Sequence, residues 1–255
     1  MKNKSVIYSI IVVITFLLAF YGRKVLSTFF VFTISDVVLK IAYMYFWWLF
    51  PTALVCGILF GFNKLFSSLG LKKGFFKGFL FALVTVSPML LSSAFIGKIS
   101  SDFKILNLVQ QTLLAGFMEE YLFRGFLFGL LFLKLRWGFI PASILGAIIF
   151  GLGHIYQGNT FAETSGVFFI TAIGAVWFSW LYVEWDNNLW IVVFLHILMN
   201  LSWILFDVSN NALGGLYVNL FRMFTIALTI IITIKRNRIN GLKINKTNLL
   251  ANSNI

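Results

Sequence analysis

Acidic residues are scarce in this chain of 255 residues, which has 8 Asp and Glu against 20 Lys and Arg. Charged residues make up only 11% of it, whereas 60% are hydrophobic and the mean hydropathy is +0.94. This balance excludes an ordinary soluble domain and indicates an integral membrane protein. The net charge of +12 would suit a nucleic-acid partner, but the cations do not cluster on a soluble face. We expect no nucleic acid, because membrane orientation and attraction to the lipid bilayer explain the cations better.

Cysteine and proline are also rare, with 1 Cys and 3 Pro. The single cysteine, Cys56, excludes an intramolecular disulfide and lies in a hydrophobic segment, which favours a small core residue over a nucleophile. The sequence contains no glycine-rich phosphate loop, no zinc-type cysteine spacing and no internal repeat. The candidates for chemistry are therefore the few ionisable side chains inside the hydrophobic segments.

The hydrophobic segments predict an all-α polytopic membrane protein with about eight transmembrane helices. We assign them to a single domain over residues 1–234, since they leave no room for a separate soluble domain. A further apolar segment, Val25–Ile34, is too short to cross and is expected at the interface. The predicted spans are Val6–Tyr21, Ile41–Phe62, Phe75–Gly97, Ile105–Leu133, Phe139–Tyr156, Gly166–Val183, Leu189–Phe206 and Leu216–Ile234.

An even number of spans places both termini on one side of the membrane. Most loop cations then lie on that side, so the positive-inside rule predicts cytoplasmic N- and C-termini. Residues 235–255 are polar and basic, and we predict a disordered cytoplasmic tail. The abundance of Lys, Asn, Ile and Phe is typical of AT-rich genomes, which indicates a bacterial cell membrane.

Three charges interrupt the fourth predicted span, at Glu119, Glu120 and Arg124. A charge at the centre of a membrane helix costs roughly 2.5–3.5 kcal/mol on insertion scales, so these groups need partners. Glu120 and Arg124 are four residues apart and are expected to pair on one helix face. Glu119 is rotated by about 100° from that face, which leaves it for another role. The alternative is a buried ion network that only locks the helices together.

The chain contains two histidines, and both fall in predicted spans. Together with Glu119, His154 and His196 are sufficient for water activation in two ways. In the first, the three side chains hold a divalent metal such as zinc, with an open position for water. In the second, Glu119 and His154 act directly on a water, while His196 and Asn200 donate hydrogen bonds to the developing oxyanion. No H-E-x-x-H motif supports a soluble-type zinc protease.

Three motifs follow one another between Leu113 and Asn200, in separate hydrophobic spans. They are E-E-x-x-x-R at Glu119, Glu120 and Arg124, F-x-x-x-H at Phe150 and His154, and H-x-x-x-N at His196 and Asn200. In order and spacing they resemble the CPBP family of intramembrane metalloproteases, also called the Abi or type II CAAX prenyl endopeptidase family. Known members take part in prenyl-protein processing, bacterial peptide maturation and self-immunity to bacteriocins.

The resemblance implies an eight-helix core and proteolysis within or near the bilayer. It implies that Glu119 and His154 activate the water, and that His196 and Asn200 complete a metal or oxyanion site. The remaining motif residues would support them, namely Glu120, Arg124 and Phe150.

We therefore expect an endopeptidase that cleaves a membrane-associated protein or peptide precursor. Two other classes stay open. One is an immunity protein, receptor or scaffold without turnover, and the other is a transporter or proton relay. A relay predicts polar residues staggered through many spans, whereas here they concentrate in three.

The predicted depths of the site residues disagree. Glu119 falls near mid-span, His154 near the outer end of its span and His196 nearer the inner end. A catalytic helix that begins near Thr112, after a separate interfacial turn at Ile105–Gln111, would bring Glu119 towards His154. It would leave His196 to be reached by helix tilt.

Overall fold

The structure, a computed structural model, describes residues 2–29, 34–99, 104–209 and 211–253. This part of the chain consists of helices and their connecting segments, with no β-strand beyond one isolated bridge between Trp137 and Ala251. We number the main helices in chain order. They are α1 (Lys2–Phe29), α2 (Val37–Phe60), α3 (Phe75–Ile96), α4 (residues 105–134), α5 (Phe139–His154), α6 (Phe161–Glu184), α7 (Leu189–Ile204) and α8 (Leu216–Asn237).

Six of these helices, α1, α2, α3, α5, α6 and α8, are long and apolar enough to cross a membrane. The apolar helix α7 is shorter, and α4 is built from short pieces. The all-α polytopic class is thus confirmed, while the count of eight spans stays a prediction. The prediction of a separate interfacial segment at Val25–Ile34 is wrong for its first part, because α1 continues to Phe29. Residues 30–33 lie outside the described part.

Side chains fix the start of several helices. An Asx or threonine oxygen before the first turn accepts a backbone N–H that has no partner within the helix. Asp36 accepts from Leu39 at α2, Thr160 accepts from Glu163 at α6, and Asn188 accepts from Trp190 at α7. The cap at Asn188 determines where α7 starts, and hence how far along it His196 lies.

Helix α4 is the centre of the bundle, and residues 121–132 along it are all buried. It is apolar on every side, as expected of a helix enclosed by other helices. Its hydrogen bonding alternates between α segments (Ile105–Val109, Ala115–Glu120 and Gly129–Lys134) and π segments (Gln110–Leu114 and Tyr121–Phe128). The prediction of a separate turn at Ile105–Gln111 is wrong, because the helix does not break there. Its hydrogen bonding changes from α to π at Gln110 instead.

Helix α1 packs beside α2 and against α4, where Phe16 meets Phe123 edge to face with ring centroids 5.0 Å apart. Helix α7 packs along α3 and also contacts α4, while α5 pairs with α6. The contact between α4 and α7 is close at Gly116. A Cβ built there would lie 2.7 Å from Cγ1 and 3.0 Å from the backbone nitrogen of Ile197. Glycine is therefore required for α7 to approach this near.

Residues 235–237 continue α8 and residues 243–253 contact the helix bundle, so the prediction of a disordered tail over residues 235–255 is wrong for these parts. We call residues 243–253 the C-terminal strap. It runs past the turn between α4 and α5, where Phe139 N–H donates to Asn248 O at 2.8 Å and Asn252 N–H donates to Arg136 O at 3.0 Å. These bonds satisfy backbone groups on both segments, which composition alone cannot reveal.

The strap is also held at the end of α6 by Glu184, which is fully buried. Its carboxylate accepts the backbone N–H groups of Lys243 and Ile244, each at 3.0 Å, and Nδ2 of Asn237 at 2.7 Å. The neighbouring Asp186 is exposed and forms ion pairs with Arg236 and Lys243. Burial raises the pKa of Asp186, but the hydrogen bonds and positive charges of these two partners outweigh burial and hold the pKa below its ordinary value.

We expect Glu184→Gln to release the strap, because the amide turns a donor towards groups that are themselves donors. Hydrogen bonds to charged groups contribute about 1.5–3 kcal/mol, so the protection of strap amides in hydrogen–deuterium exchange should fall about tenfold or more. Asp186→Asn is the matched control, since it removes only the two exposed ion pairs with Arg236 and Lys243, and asparagine tolerates the positive φ of 63° at this position. Its effect should stay below about fivefold.

The pH dependence of the Asp186 pairs follows from the lowered pKa. The pairs contribute stability at neutral pH, and that contribution is lost only as the pH falls through the lowered pKa, below about pH 4.

Equal amide exchange of the strap in wild type and Glu184→Gln at neutral pH would show that the buried Glu184 carboxylate does not hold the strap.

We expect Gly116→Ala to lower the thermal midpoint by several degrees. Overpacking costs about 1–3 kcal/mol, which exceeds the roughly 1 kcal/mol that alanine gains over glycine within a helix. Gly174→Ala is the matched control in α6, because no neighbouring atom lies within 4 Å of its added Cβ. It should leave the midpoint unchanged or raise it. If both variants melted alike, the close approach of α7 would not be a constraint.

Candidate active site

The site is built on the carboxylate of Glu120, which is fully buried near the middle of α4. Its Oε1 accepts from Nη1 of Arg124 at 3.0 Å and lies 2.7 Å from Nδ1 of His196. The first contact confirms the predicted pairing of Glu120 with Arg124 along one helix. The second joins α4 to α7, and it brings His196 to the depth of the carboxylates.

Aromatic rings enclose the guanidinium of Arg124, which is 2% exposed. Its central carbon lies 4.8 Å from the ring centroid of Phe150, 5.4 Å from that of Phe178 and 6.0 Å from that of Phe123. Ring faces attract cations, so the enclosure offsets part of the cost of burying this charge. Phe150 thus contacts the ion pair, and the supporting role that the family resemblance implies for it stays a prediction.

Glu119 faces the other nitrogen of the same imidazole, with its Oε2 3.9 Å from Nε2 of His196. A carboxylate can only accept, so a neutral His196 donates through Nδ1 to Glu120 and presents the Nε2 lone pair towards Glu119. Within the described part of the chain, Oε2 of Glu119 is buried without a hydrogen-bond partner, as is Oε2 of Glu120. Buried polar atoms are rarely left unpaired, which points to a water or substrate group in this space.

His154, at the end of α5, contacts its own helix. Its Nδ1 lies 2.7 Å from the carbonyl oxygen of Phe150, and its ring centroid lies 4.4 Å from the Phe150 ring. Because a carbonyl oxygen can only accept, Nδ1 is the donor in this contact. Phe150 therefore lies between His154 and the buried ion pair. The structure does not bring His154 into contact with Glu119.

Asn200 lies one turn beyond His196 on α7, and its Nδ2 donates to the carbonyl oxygen of Gln111 at 3.0 Å. Gln111 belongs to the first π segment of α4. The two polar residues of H-x-x-x-N thus both bind α4, on either side of the contact at Gly116. Sequence reasoning did not identify Gln111 or Phe178 as site residues, since nothing local distinguishes Phe178 among 31 phenylalanines.

The predicted metal ligands, Glu119, His154 and His196, are not assembled. Over the described residues, no three His, Cys, Asp or Glu side chains come together in a group that could hold a metal ion. Glu119 and His196 supply two converging donors, and His154 is engaged by Phe150. The arrangement therefore does not fit the predicted three-ligand metal centre.

We expect Arg124→Met to reduce the amount of folded protein, because it leaves the buried Glu120 carboxylate without its cation. Breaking a buried pair in this way costs about 3–5 kcal/mol. The double variant Glu120→Gln/Arg124→Met removes both charges and should recover part of that loss. The measurement is the monodisperse fraction and thermal midpoint of purified protein. If the single variant is as stable as wild type, the ion pair does not secure the fold.

Comparison with known proteins supports the motif assignment. Residues 101–202 match the family described as "Type II CAAX prenyl endopeptidase Rce1-like", and this segment contains all three motifs. A relative from Bacillus subtilis (strain 168), named "Putative membrane peptidase YdiL", is 28% identical over 95 residues, which is 37% of this chain. The alignment spans about a third of that relative, 34% of its length. No solved structure matches the chain.

The matched segment runs from the end of the α3–α4 connection to the end of α7. It includes the Glu120–Arg124 pair, the Phe150–His154 contact and the turn of α7 with His196 and Asn200. Over this segment, the chain is similar to the type II CAAX prenyl endopeptidase Rce1-like family.

Proposed function

We propose that the protein is an intramembrane endopeptidase that hydrolyses peptide bonds of a membrane-associated protein or peptide precursor. The observation that carries this proposal is the orientation of His196. Its Nδ1 is fixed by Glu120, and its Nε2 faces the unpaired oxygen of Glu119 at 3.9 Å. The similarity of residues 101–202 to the type II CAAX prenyl endopeptidase Rce1-like family supports the class of reaction.

The gap between Glu119 and His196 suits one water. A water about 2.8 Å from both atoms makes an ordinary hydrogen bond to each. In the proposed step Glu119 takes a proton from this water as the oxygen attacks the peptide carbonyl, and it then passes the proton to the leaving amine. The bond formed joins the water oxygen to the carbonyl carbon, and the bond broken is the C–N bond of the peptide. The products are a carboxylic acid and an amine, and the acid passes its proton to the amine to give a carboxylate and an ammonium group.

His196 supports this step by accepting from the same water, since Glu120 holds its proton on the far side of the ring. The low dielectric of the membrane interior strengthens these interactions, because little bulk water competes with them. Glu120 and Arg124 position the imidazole and do not themselves touch the reacting atoms.

His154 and Asn200 remain predicted site residues under this proposal. A role for His154 in activating the water requires the end of α5 to move towards Glu119. Asn200 would reach a developing oxyanion only by releasing the Gln111 carbonyl. The predicted divalent metal likewise stays a proposal, and no step above depends on it.

The second candidate function is that of a non-catalytic protein, such as an immunity protein, receptor or scaffold. It is retained because the three predicted metal ligands do not come together within the described residues. An immunity protein or membrane receptor could use the same buried network to hold its helices together. The function of such a protein should be retained in Glu119→Gln, because Glu119 has no hydrogen bond to the rest of the network. The cleavage activity of an enzyme should be lost in the same variant.

We expect Glu119→Gln to lower peptide-bond cleavage about a hundredfold or more, as is typical of removing a general base. Profiling of new peptide N-termini in membranes that contain equal amounts of wild type or variant measures this and identifies substrates. Asp207→Asn, in the exposed loop after α7, is the matched control and should retain the wild-type profile.

Two further variants separate the roles. His196→Ala should match Glu119→Gln, while His154→Ala reports whether α5 takes part. If wild type and Glu119→Gln gave the same new N-termini, the proposal of a protease would be contradicted. The non-catalytic candidate would then remain.

A further inference from the structure

A groove of about 380 Å³ lies on α1, away from the acidic site. Its walls are one face of the first half of α1, together with Leu135 and Trp137 from the turn after α4. On the α1 side the apolar residues Val6 and Ile10 are 59% and 53% exposed. Val12 and Phe16, on another side of α1, are fully buried in the bundle. The groove is thus open along its length to the surroundings of the protein.

The polar atoms that line the groove already have partners. Ser5 donates its hydroxyl to the carbonyl oxygen of Leu135 at 2.8 Å, and Trp137 donates Nε1 to the hydroxyl of Ser9 at 3.0 Å. Ser9 in turn donates to the carbonyl oxygen of Ser5 at 2.8 Å. A molecule in the groove therefore meets hydrocarbon and aromatic surface, which suits an alkyl chain.

Cations flank the groove at one end. Lys4 precedes Ser5 on α1, and Lys134 and Arg136 lie on either side of Leu135. All three side chains are exposed, and none forms an ion pair with a carboxylate anywhere in the described ranges. The sequence has no Asp or Glu before Asp36, between Glu120 and Glu163, or after Asp207. Within the described ranges, the positive charge here is therefore not neutralised by a carboxylate.

The turn that presents these cations is fixed in place. Arg136 has a positive φ of 66°, and its carbonyl oxygen accepts from Asn252 N–H of the C-terminal strap. Trp137 forms the isolated bridge with Ala251. The strap holds the backbone of Arg136 and Trp137 in one arrangement beside the groove, so less ordering of this turn is needed when a ligand binds.

We propose that this groove is a binding site for an anionic phospholipid. One acyl chain lies along Val6 and Ile10, and the head-group phosphate is bound by Lys4, Lys134 and Arg136. Arginine and lysine are the side chains that bind phosphate best, and Trp137 is typical of the interfacial level where a head group meets its chains. The uncompensated charge selects an anionic over a zwitterionic head group.

Native mass spectrometry of the full-length, delipidated protein tests this proposal with two probes. They are phosphatidylglycerol and phosphatidylcholine with identical acyl chains. We expect wild type to retain phosphatidylglycerol with an affinity about fivefold higher or more, since a basic residue near the membrane surface contributes about 1 kcal/mol. The triple variant Lys4→Gln/Lys134→Gln/Arg136→Gln should bind both lipids alike.

A matched control removes three other exposed cations, in Lys64→Gln/Lys72→Gln/Lys73→Gln. These lie in the connection from α2 to α3, and they should leave the preference unchanged. Ile10→Trp fills the groove at an exposed position and should lower the retention of both lipids. Equal binding of both probes by wild type would overturn the proposal, because no head-group preference would then exist. Loss of the preference in the control triple variant would overturn it in favour of a general surface charge effect.

Discussion

The whole arrangement depends on one buried carboxylate. A charge in the hydrocarbon interior of a bundle must be matched by donors, and Glu120 meets this need with Arg124 from its own helix and His196 from α7. The same contacts that stabilise the charge also fix the distance between α4 and α7 and the direction of the imidazole. Helix packing and the chemistry of the site therefore rest on the same few atoms.

Local features of this arrangement were predictable from the sequence, and non-local ones were not. The Glu120–Arg124 pair is set by helical spacing, so its prediction is confirmed. The contact of His196 with both glutamates depends on how deeply α7 is inserted and how closely it approaches. The depth of α7 depends on the cap at Asn188, and its close approach depends on the absence of a side chain at Gly116. Neither effect can be predicted from the spacing of motif residues along the sequence. For this reason the predicted depths kept His196 away from its partners.

Two other expectations failed for identifiable reasons. The tail was predicted disordered because its composition is polar and basic, but Glu184 and the turn after α4 provide fixed hydrogen-bond partners more than fifty residues earlier in the chain. The π segments of α4 leave no mark in the hydrophobic pattern, although they flank the turn that holds both glutamates. Such windings are often found at functional sites, where they change which way side chains face.

The C-terminal strap also has a consequence for biosynthesis. Its residues leave the ribosome after all eight helices, yet they satisfy backbone groups of the turn between α4 and α5, about a hundred residues earlier. Helices can enter the membrane one by one as they are made, but this turn keeps unpaired donors until the strap arrives. Maturation therefore has a late step that is separate from membrane insertion, and a nascent chain halted before residue 243 would be inserted but unfinished.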